Sequence, residues 1–187
     1  MKIFACVAAV ALSFTAAFAS AGEGLKSGLA AGEGIGAFNV VKVAGAPDDN
    51  VAVGKELCYR CKYGARPQVM VFTRKAGAEV VSLSKELNAA VEKNSDKQLS
   101  AFVNVLGDKA AAEKAAKELG ADSAKVPVVV PVENENGPAN YGLNPDAEVT
   151  VLIAKGGKVI SSTGYAAGKF DAAAVSATVK AVNSAVE

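Results

Sequence analysis

Apolar segments alternate with amphipathic segments along most of the chain, and this alternation limits the fold more than any other feature. Four apolar segments, at residues 69–72, 99–106, 126–132 and 149–154, have the length and composition of buried strands. Segments with helical periodicity separate the first three of them. Strands that alternate with helices are typical of parallel neighbours in one sheet, so we predict an α/β fold.

Three helices are predicted from apolar periodicity together with residues that commonly begin or end helices. The first covers residues 78–94. The second begins after Asp108, which is a suitable N-cap, and stops at Gly120. The third begins at Asp171 and continues to the last residue of the sequence.

Two hairpins complete the predicted sheet. Residues 38–43 form a strand, and residues 51–53 are expected to return beside it. The turn between them, at residues 46–50, contains Asp48-Asp49-Asn50, which we interpret as a solvated surface turn. The glycine pair at residues 156–157 predicts a tight hairpin after the fourth apolar strand.

Two prolines limit where the strand at residues 126–132 can lie in the sheet. Because proline lacks a backbone N–H, Pro127 and Pro131 predict that this strand lies at a sheet edge or carries a bulge. The expected architecture is a mixed sheet of about five core strands with helices on both faces, plus an N-terminal β-hairpin.

The first residues have the pattern of an export signal. Lys2 supplies a short positive region, residues 3–18 are apolar and uncharged, and small residues at 17 and 19 suit signal peptidase. The apolar run is shorter than the ~20 residues that a membrane-spanning helix needs. We therefore predict a signal peptide at residues 1–19, cleaved after Ala19 or Ala21. The mature protein is expected in the periplasm or outside the cell, without a membrane anchor.

The segment after the signal differs in composition from the rest of the chain. Residues 20–36 are rich in glycine, alanine and serine and contain few large apolar side chains, which predicts a flexible leader. Residues 37–187 are then predicted to form a single domain that is long enough to bury a core.

The charge balance and the lack of histidine exclude several classes of function. The sequence has 20 basic residues, 19 acidic residues and no histidine. Nucleic acid and anionic lipid both attract a surplus of lysine and arginine, so neither is expected as a partner. Without histidine the chain cannot build a histidine-based catalytic triad or a histidine metal site. No cofactor is predicted.

Cys58 and Cys61 form a C-x-x-C motif shortly before the strand at residues 69–72, and three interpretations of it stay open. In the first, the pair is a redox-active dithiol that exchanges with a protein thiol or disulfide. In the second, it is a structural disulfide that makes its loop rigid. In the third, the two thiolates are half of a metal site. Neither histidine nor a third cysteine of the mature chain completes that site, so we predict no metal.

The side chains that flank the motif could stabilise a thiolate by their charge or border a substrate surface. These flanking residues are Tyr59, Arg60, Lys62, Tyr63 and Arg66. An exported chain meets an oxidising environment, so we expect the two cysteines to form a disulfide at rest.

The order of elements resembles the thioredoxin-like fold, and within it the branch of peroxiredoxins and envelope thiol–disulfide reductases. The resemblance is carried by residues 36–40 (G-A-F-N-V), 126–130 (V-P-V-V-V) and 141–143 (Y-G-L), and by the strand and turn at 148–153 and 156–159. It covers most of residues 36–185. It implies a three-layer α/β fold and thiol–disulfide chemistry.

The chain departs from this branch at the positions that carry its chemistry. In active members the reactive cysteine follows the first core strand, where this chain has Thr73 and Arg74 in a turn that ends at Gly77. Active reductases also place a cis-proline before the last hairpin, where this chain has Val149 and Thr150. The resemblance therefore implies a degenerate family site, with the C-x-x-C motif displaced to the opposite end of the strand.

Two hypotheses about function follow. The first is an exported thioredoxin-like protein, a thiol–disulfide oxidoreductase, whose displaced Cys58–Cys61 pair reacts with a protein partner. The second is a non-catalytic binding or scaffold protein in which the same disulfide is structural. The sequence indicates neither the partner's identity nor an oligomeric state.

Overall fold

The computed structural model describes residues 24–187 of the chain, and the predicted signal peptide lies outside this range. Seven strands and four helices follow one another along it. The strands are β1 (Val40–Ala44), β2 (Glu56–Leu57), β3 (Gln68–Thr73), β4 (Ser100–Val105), β5 (Val128–Pro131), β6 (Ala147–Lys155) and β7 (Lys158–Ala166). The helices are α1 (Tyr59–Tyr63), α2 (Ala78–Lys93), α3 (Lys109–Gly120) and α4 (Ala172–Val186). A single 3₁₀ turn spans Ala139–Tyr141.

The seven strands form one mixed sheet in the order β2-β1-β5-β4-β3-β6-β7. The three central strands, β5, β4 and β3, are parallel and are connected through α2 and α3. The remaining pairs are antiparallel. The predicted α/β class with a mixed sheet and an N-terminal hairpin is therefore confirmed.

Alternate residues of the central strands face two separate hydrophobic clusters, as the pleat of a β-strand requires. Val69 and Val71 of β3 face the cluster that α2, α3 and α4 cover. Met70 and Phe72 face the other cluster, which α1 and the 3₁₀ turn cover. We call this second side of the sheet the aromatic face. Its aromatic residues are Phe38, Tyr59, Tyr63, Phe72, Phe102 and Tyr141.

Two local predictions, an N-cap and a hairpin turn, are confirmed by a side-chain hydrogen bond and by backbone dihedral angles. The Asp108 carboxylate accepts the Ala111 N–H at 3.1 Å, so Asp108 is the predicted N-cap of α3. The last helix begins at Ala172, one residue later than predicted, and Asp171 is its N-cap, with its carboxylate accepting the Ala174 N–H at 2.9 Å. The two glycines of the β6–β7 turn have φ angles of 64° and 75°, as a two-residue hairpin turn requires.

Two strand predictions differ from the structure. The proline-containing strand, β5, is not at an edge but lies between β1 and β4. It tolerates this position because Pro127 precedes the strand and Pro131 ends it, while the irregular pairing falls on β1 between Lys42 and Ala44. The partner of β1 is Glu56–Leu57 rather than residues 51–53, so the hairpin loop is longer than we predicted.

Residues 24–36, which we expected to be part of a flexible leader, lie along β7. Leu25 exchanges two backbone hydrogen bonds with Gly164, at 2.8 and 2.9 Å, and Val159 bonds to both Gly32 and Glu33. Ile35 is buried in the aromatic face. The segment needs few large side chains because the free edge of β7 satisfies its backbone groups. The predicted limits of leader and domain otherwise stay predictions.

The contact between this segment and β7 can be tested at Gly164. A Cβ atom at that position would lie 2.5 Å from Ser27 Cβ and 2.7 Å from the Leu25 carbonyl oxygen. We expect Gly164→Ala to displace the segment and to speed tryptic cleavage after Lys26 severalfold, measured by mass spectrometry in a digestion time course. Gly34→Ala is the control, because no atom lies within 4 Å of its added Cβ. Equal cleavage rates in the two variants would contradict the docking.

Candidate functional site

The short helix α1 carries the C-x-x-C motif. Cys58 is its N-cap residue, Cys61 lies in its middle, and the two form a disulfide. Their Cα atoms are 5.2 Å apart, within the usual range for bonded cysteines. The Cys58 sulfur also accepts a hydrogen bond from the Cys61 N–H at 3.1 Å. The expected disulfide is thus present, while its chemical role stays a prediction.

Two tyrosines fix α1 to the sheet. Tyr59 and Tyr63 are one helical turn apart, so they project from the same side of the helix. Both are buried in the aromatic face, where their rings contact Phe102 with centroid separations of 5.7 and 6.0 Å. Contrary to our expectation, they therefore do not border an open substrate surface. They anchor the helix to the sheet.

This anchoring leaves the motif on the solvent side of α1. Cys61 is exposed and Cys58 is half-buried. Neither tyrosine covers the pair, because both rings point the other way. The more exposed residue of the disulfide, Cys61, therefore lies on the solvent side of the folded helix.

A buried charged network holds the first tyrosine in place. The Lys42 side chain is only 1% exposed, and its ammonium donates to the Asp49 carboxylate at 2.7 Å and to the Ala46 and Val51 carbonyls at 2.8 Å. The Tyr59 hydroxyl donates to the other Asp49 oxygen at 2.5 Å. All three donors of the ammonium are therefore satisfied, and α1 is tied to β1 through Asp49.

The network also determines the protonation of the tyrosines. Burial raises the pKa of Tyr59 far above its ordinary value, and the adjacent Asp49 carboxylate raises it further. Burial likewise raises the pKa of Tyr63. Both phenols stay protonated at neutral pH, so they act as neutral anchors and not as bases for the cysteines.

Three basic residues lie between or shortly after the two cysteines in the sequence. Lys62 and Arg66 are exposed, and Arg60 is half-buried beside Gly157 of the β6–β7 turn. The Arg60 Nε atom is buried without a hydrogen-bond acceptor. Within residues 24–187 none of the three is in an ion pair, since the salt bridge found there joins Lys42 and Asp49.

The positions at which the resemblance places the usual thiol site are filled by contacts within the protein. Thr73 pairs directly with Val149 across the β3–β6 ladder, and both are buried. Thr150 is also buried, and its hydroxyl lies 2.7 Å from that of Ser27. No cis peptide bond occurs in the described part of the chain. These positions offer neither a thiol nor an open surface.

Arg74 and Gly77 complete the turn after β3. The Arg74 guanidinium donates to the Asn136 side chain at 2.8 Å and to the Ala147 carbonyl at 3.3 Å. Gly77 is the N-cap of α2 and provides no side-chain cap. The arginine is thus engaged in holding neighbouring loops together.

The disulfide helix α1 and the usual thiol site of the resemblance lie at different ends of β3. The disulfide helix precedes Gln68, the first residue of the strand, whereas the degenerate site follows Thr73, the last one. Six residues of strand span about 17 Å. The hydrogen bonds of α1 and those of the turn after β3 have no partner in common. The structure therefore does not bring the cysteines to the usual site.

Nothing in residues 24–187 indicates a metal or a membrane span. Groups of three or more histidine, cysteine, aspartate or glutamate side chains able to hold a metal ion are not found there. The helices in that range are also too short or too polar to cross a membrane.

Comparison with known proteins gives likeness at the level of structure. No protein-family model matches the chain, and no curated protein does. A proposed thiol:disulfide interchange protein, DsbE, from Chlorobium tepidum superposes with a TM-score of 0.62 and 14% identity, over 85% of this chain and 99% of that one. The chain has a thioredoxin-like fold.

Other solved structures support the same thioredoxin-like fold. A proposed protein disulfide isomerase from Bacteroides thetaiotaomicron matches with a TM-score of 0.60 and 14% identity, over 87% of this chain and 94% of that one. AhpC from Mycobacterium tuberculosis matches with a TM-score of 0.58 and 12% identity, over 83% of this chain and 97% of that one. The resemblance inferred from sequence is thus confirmed for the fold.

Sequence reasoning missed two residues of this site, Lys42 and Asp49. The sequence predicts a solvated turn at Asp49 and places Lys42 within a strand. The available signal was a single lysine in an otherwise apolar segment, F-N-V-V-K-V at residues 38–43. A lysine that shares a buried strand needs a partner, and the nearest acidic residues follow in the next turn.

The contribution of the network can be measured at Asp49. Asp49→Ala removes the carboxylate from a buried ammonium and from the Tyr59 hydroxyl, which we expect to destabilise the protein by about 3–5 kcal/mol. Asp48→Ala, at an exposed neighbour, should change the free energy of unfolding by less than about 0.5 kcal/mol. Urea unfolding of both variants checks this, and equal stabilities would refute the role given to Asp49.

Proposed function

We propose that the protein is an exported thiol–disulfide redox protein whose reactive group is the Cys58–Cys61 pair on α1. The observation that carries the proposal is the orientation of this helix. Its tyrosines are anchored in the aromatic face, and Cys61 is exposed on the opposite side. A disulfide that exchanges with a thiol of another protein needs such exposure.

The reaction is an exchange between this disulfide and a dithiol of a partner protein. One partner thiolate attacks a sulfur of the pair, which breaks the Cys58–Cys61 bond and forms a mixed disulfide. The second partner thiolate then attacks the mixed disulfide. The partner leaves oxidised by two electrons, and both cysteines of this chain remain as thiols.

The surroundings of the pair support this chemistry. The Cys61 N–H points at the Cys58 sulfur and favours a negative charge there. Arg60, Lys62 and Arg66 add positive charge along the same segment. Two of the solved structures with this fold are described as a proposed thiol:disulfide interchange protein and a proposed protein disulfide isomerase.

Export is the second part of the proposal. It is supported by the positive, apolar and small-residue regions of residues 1–19. A disulfide in the described part of the chain agrees with an oxidising compartment, either the periplasm or the exterior of the cell.

A scaffold with a structural disulfide is the alternative, and one specific observation favours it. The usual thiol site of the fold is occupied by Thr73, Val149 and Thr150, all of them buried. A protein that has lost this site can retain the fold for binding alone. The disulfide would then serve to keep the five-residue helix α1 formed.

A redox titration distinguishes the two functions. With a chain that lacks residues 1–19, and therefore Cys6, we expect a reduction potential above about −300 mV and catalysed turnover of a small disulfide substrate. Turnover should be lost in Cys61→Ser. A potential well below about −300 mV without turnover would instead support the scaffold, for which Cys58→Ser should only lower thermal stability.

A further inference from the structure

The two sulfurs of the pair are not equivalent. Cys61 is exposed, whereas Cys58 is half-buried at the start of α1. The Cys58 sulfur accepts the Cys61 N–H at 3.1 Å, and no corresponding donor is found for the Cys61 sulfur within residues 24–187. Cys61 is thus the more exposed residue of the pair, and the Cys58 sulfur has a donor that would stabilise negative charge.

These differences give thiol–disulfide exchange a direction. The incoming thiolate needs access to the sulfur that it attacks, and the departing sulfur needs stabilisation as a thiolate. A hydrogen bond from a backbone N–H is stronger to a thiolate than to a neutral disulfide sulfur. Access favours attack at Cys61, and the hydrogen bond favours departure of Cys58.

The charge around the motif indicates what kind of thiol approaches. Between Lys55 and Arg66 the chain has four basic residues and one acidic residue, although the whole sequence is nearly balanced. The acidic residue, Glu56, is turned toward the Asn39 amide, from which it accepts a hydrogen bond at 3.0 Å. The cations therefore remain without a carboxylate partner in the described residues.

We propose that the partner is a protein segment with acidic residues beside its thiol, and that this thiol attacks Cys61 while Cys58 departs. The inference rests on the proposed redox function and gives it a direction and a partner class. Carboxylates beside the attacking thiol would approach Lys62 and Arg66, which are exposed. The Arg60 guanidinium lies on the same helix.

The exchange can be written for both sulfurs. The partner thiolate forms a bond to Cys61 Sγ, the Cys58–Cys61 bond breaks, and its electron pair remains on Cys58 Sγ, which then takes up a proton from water. A second thiol of the partner, as its thiolate, attacks the partner sulfur of the mixed disulfide. Cys61 Sγ departs with the electron pair and is protonated in turn.

Three capped tripeptides test this assignment, each with a central cysteine flanked by glutamate, by glutamine or by lysine. Each is mixed in excess with the oxidised chain lacking residues 1–19, and the reaction is stopped by acid and alkylation. Peptide mapping then locates the mixed disulfide. The rate of each peptide with the protein is divided by the rate of the same peptide with an uncharged small disulfide. This normalisation removes the intrinsic reactivity of each thiol.

We expect the mixed disulfide on Cys61, and a normalised rate about tenfold higher for the glutamate peptide than for the lysine peptide at low salt. Lys62→Gln should reduce this ratio about threefold. Lys117→Gln, an exposed lysine of α3, is the matched control and should leave it unchanged. High salt should remove the preference.

Attack at Cys58 would overturn the proposed direction, and equal normalised rates for the three peptides would overturn the acidic partner. The small acidic thiol 3-mercaptopropionate is measured in the same way. If its normalised rate exceeds that of the lysine peptide while the rate of the glutamate peptide does not, the assignment to a protein segment is overturned. These readouts measure attack and not equilibrium. They therefore remain decisive even if a low reduction potential removes the proposed redox function.

Discussion

Lys42 places a positive charge inside the protein, on the same side of the sheet as the aromatic cluster, and the chain around it is arranged to compensate that charge. Burying an ammonium is costly unless it is paired and fully hydrogen-bonded. Asp49 supplies the pair, and two carbonyls of the β1–β2 loop supply the remaining acceptors. Since Asp49 also accepts the Tyr59 hydroxyl, the same carboxylate that pairs with Lys42 holds the first residue of α1. The loop, the first strand and the disulfide helix are thus one connected unit.

This unit explains how a helix of five residues can present a disulfide in a defined orientation. Such a short helix is unstable alone, and its stability has to come from tertiary contacts. Tyr59 and Tyr63 supply these contacts on one side, which leaves Cys61 exposed on the other. At the opposite end of β3, three residues at the usual site of a thioredoxin-like fold, Thr73, Val149 and Thr150, are buried by internal contacts, including one with the Ser27 hydroxyl of the N-terminal segment. The chemistry proposed for this protein therefore has a different location on a shared scaffold.

The central sheet could be predicted from sequence because its signals are local. Continuous apolar strands, the N-cap Asp108 and the glycine pair of the last hairpin each determine their own segment. Features that depend on distant partners could not be predicted. The composition of residues 24–36 predicts a flexible segment, yet the segment docks because β7 offers unpaired backbone groups. Asp49 has the sequence context of a surface turn, and only the position of Lys42 shows that it is a buried counter-ion. The internal position of β5 depends on the placement of its prolines at the two ends of the strand.

The central claim is that the disulfide is accessible in the folded protein because α1 is anchored through its other side. The rate at which dithiothreitol reduces the Cys58–Cys61 bond, measured at increasing urea concentrations below the unfolding transition, tests this directly. An accessible disulfide reacts in the native state, so the rate should stay nearly constant across these concentrations. A rate that rises exponentially with urea, with a slope near that of global unfolding, would mean that the bond opens only when the protein unfolds, and would contradict the account.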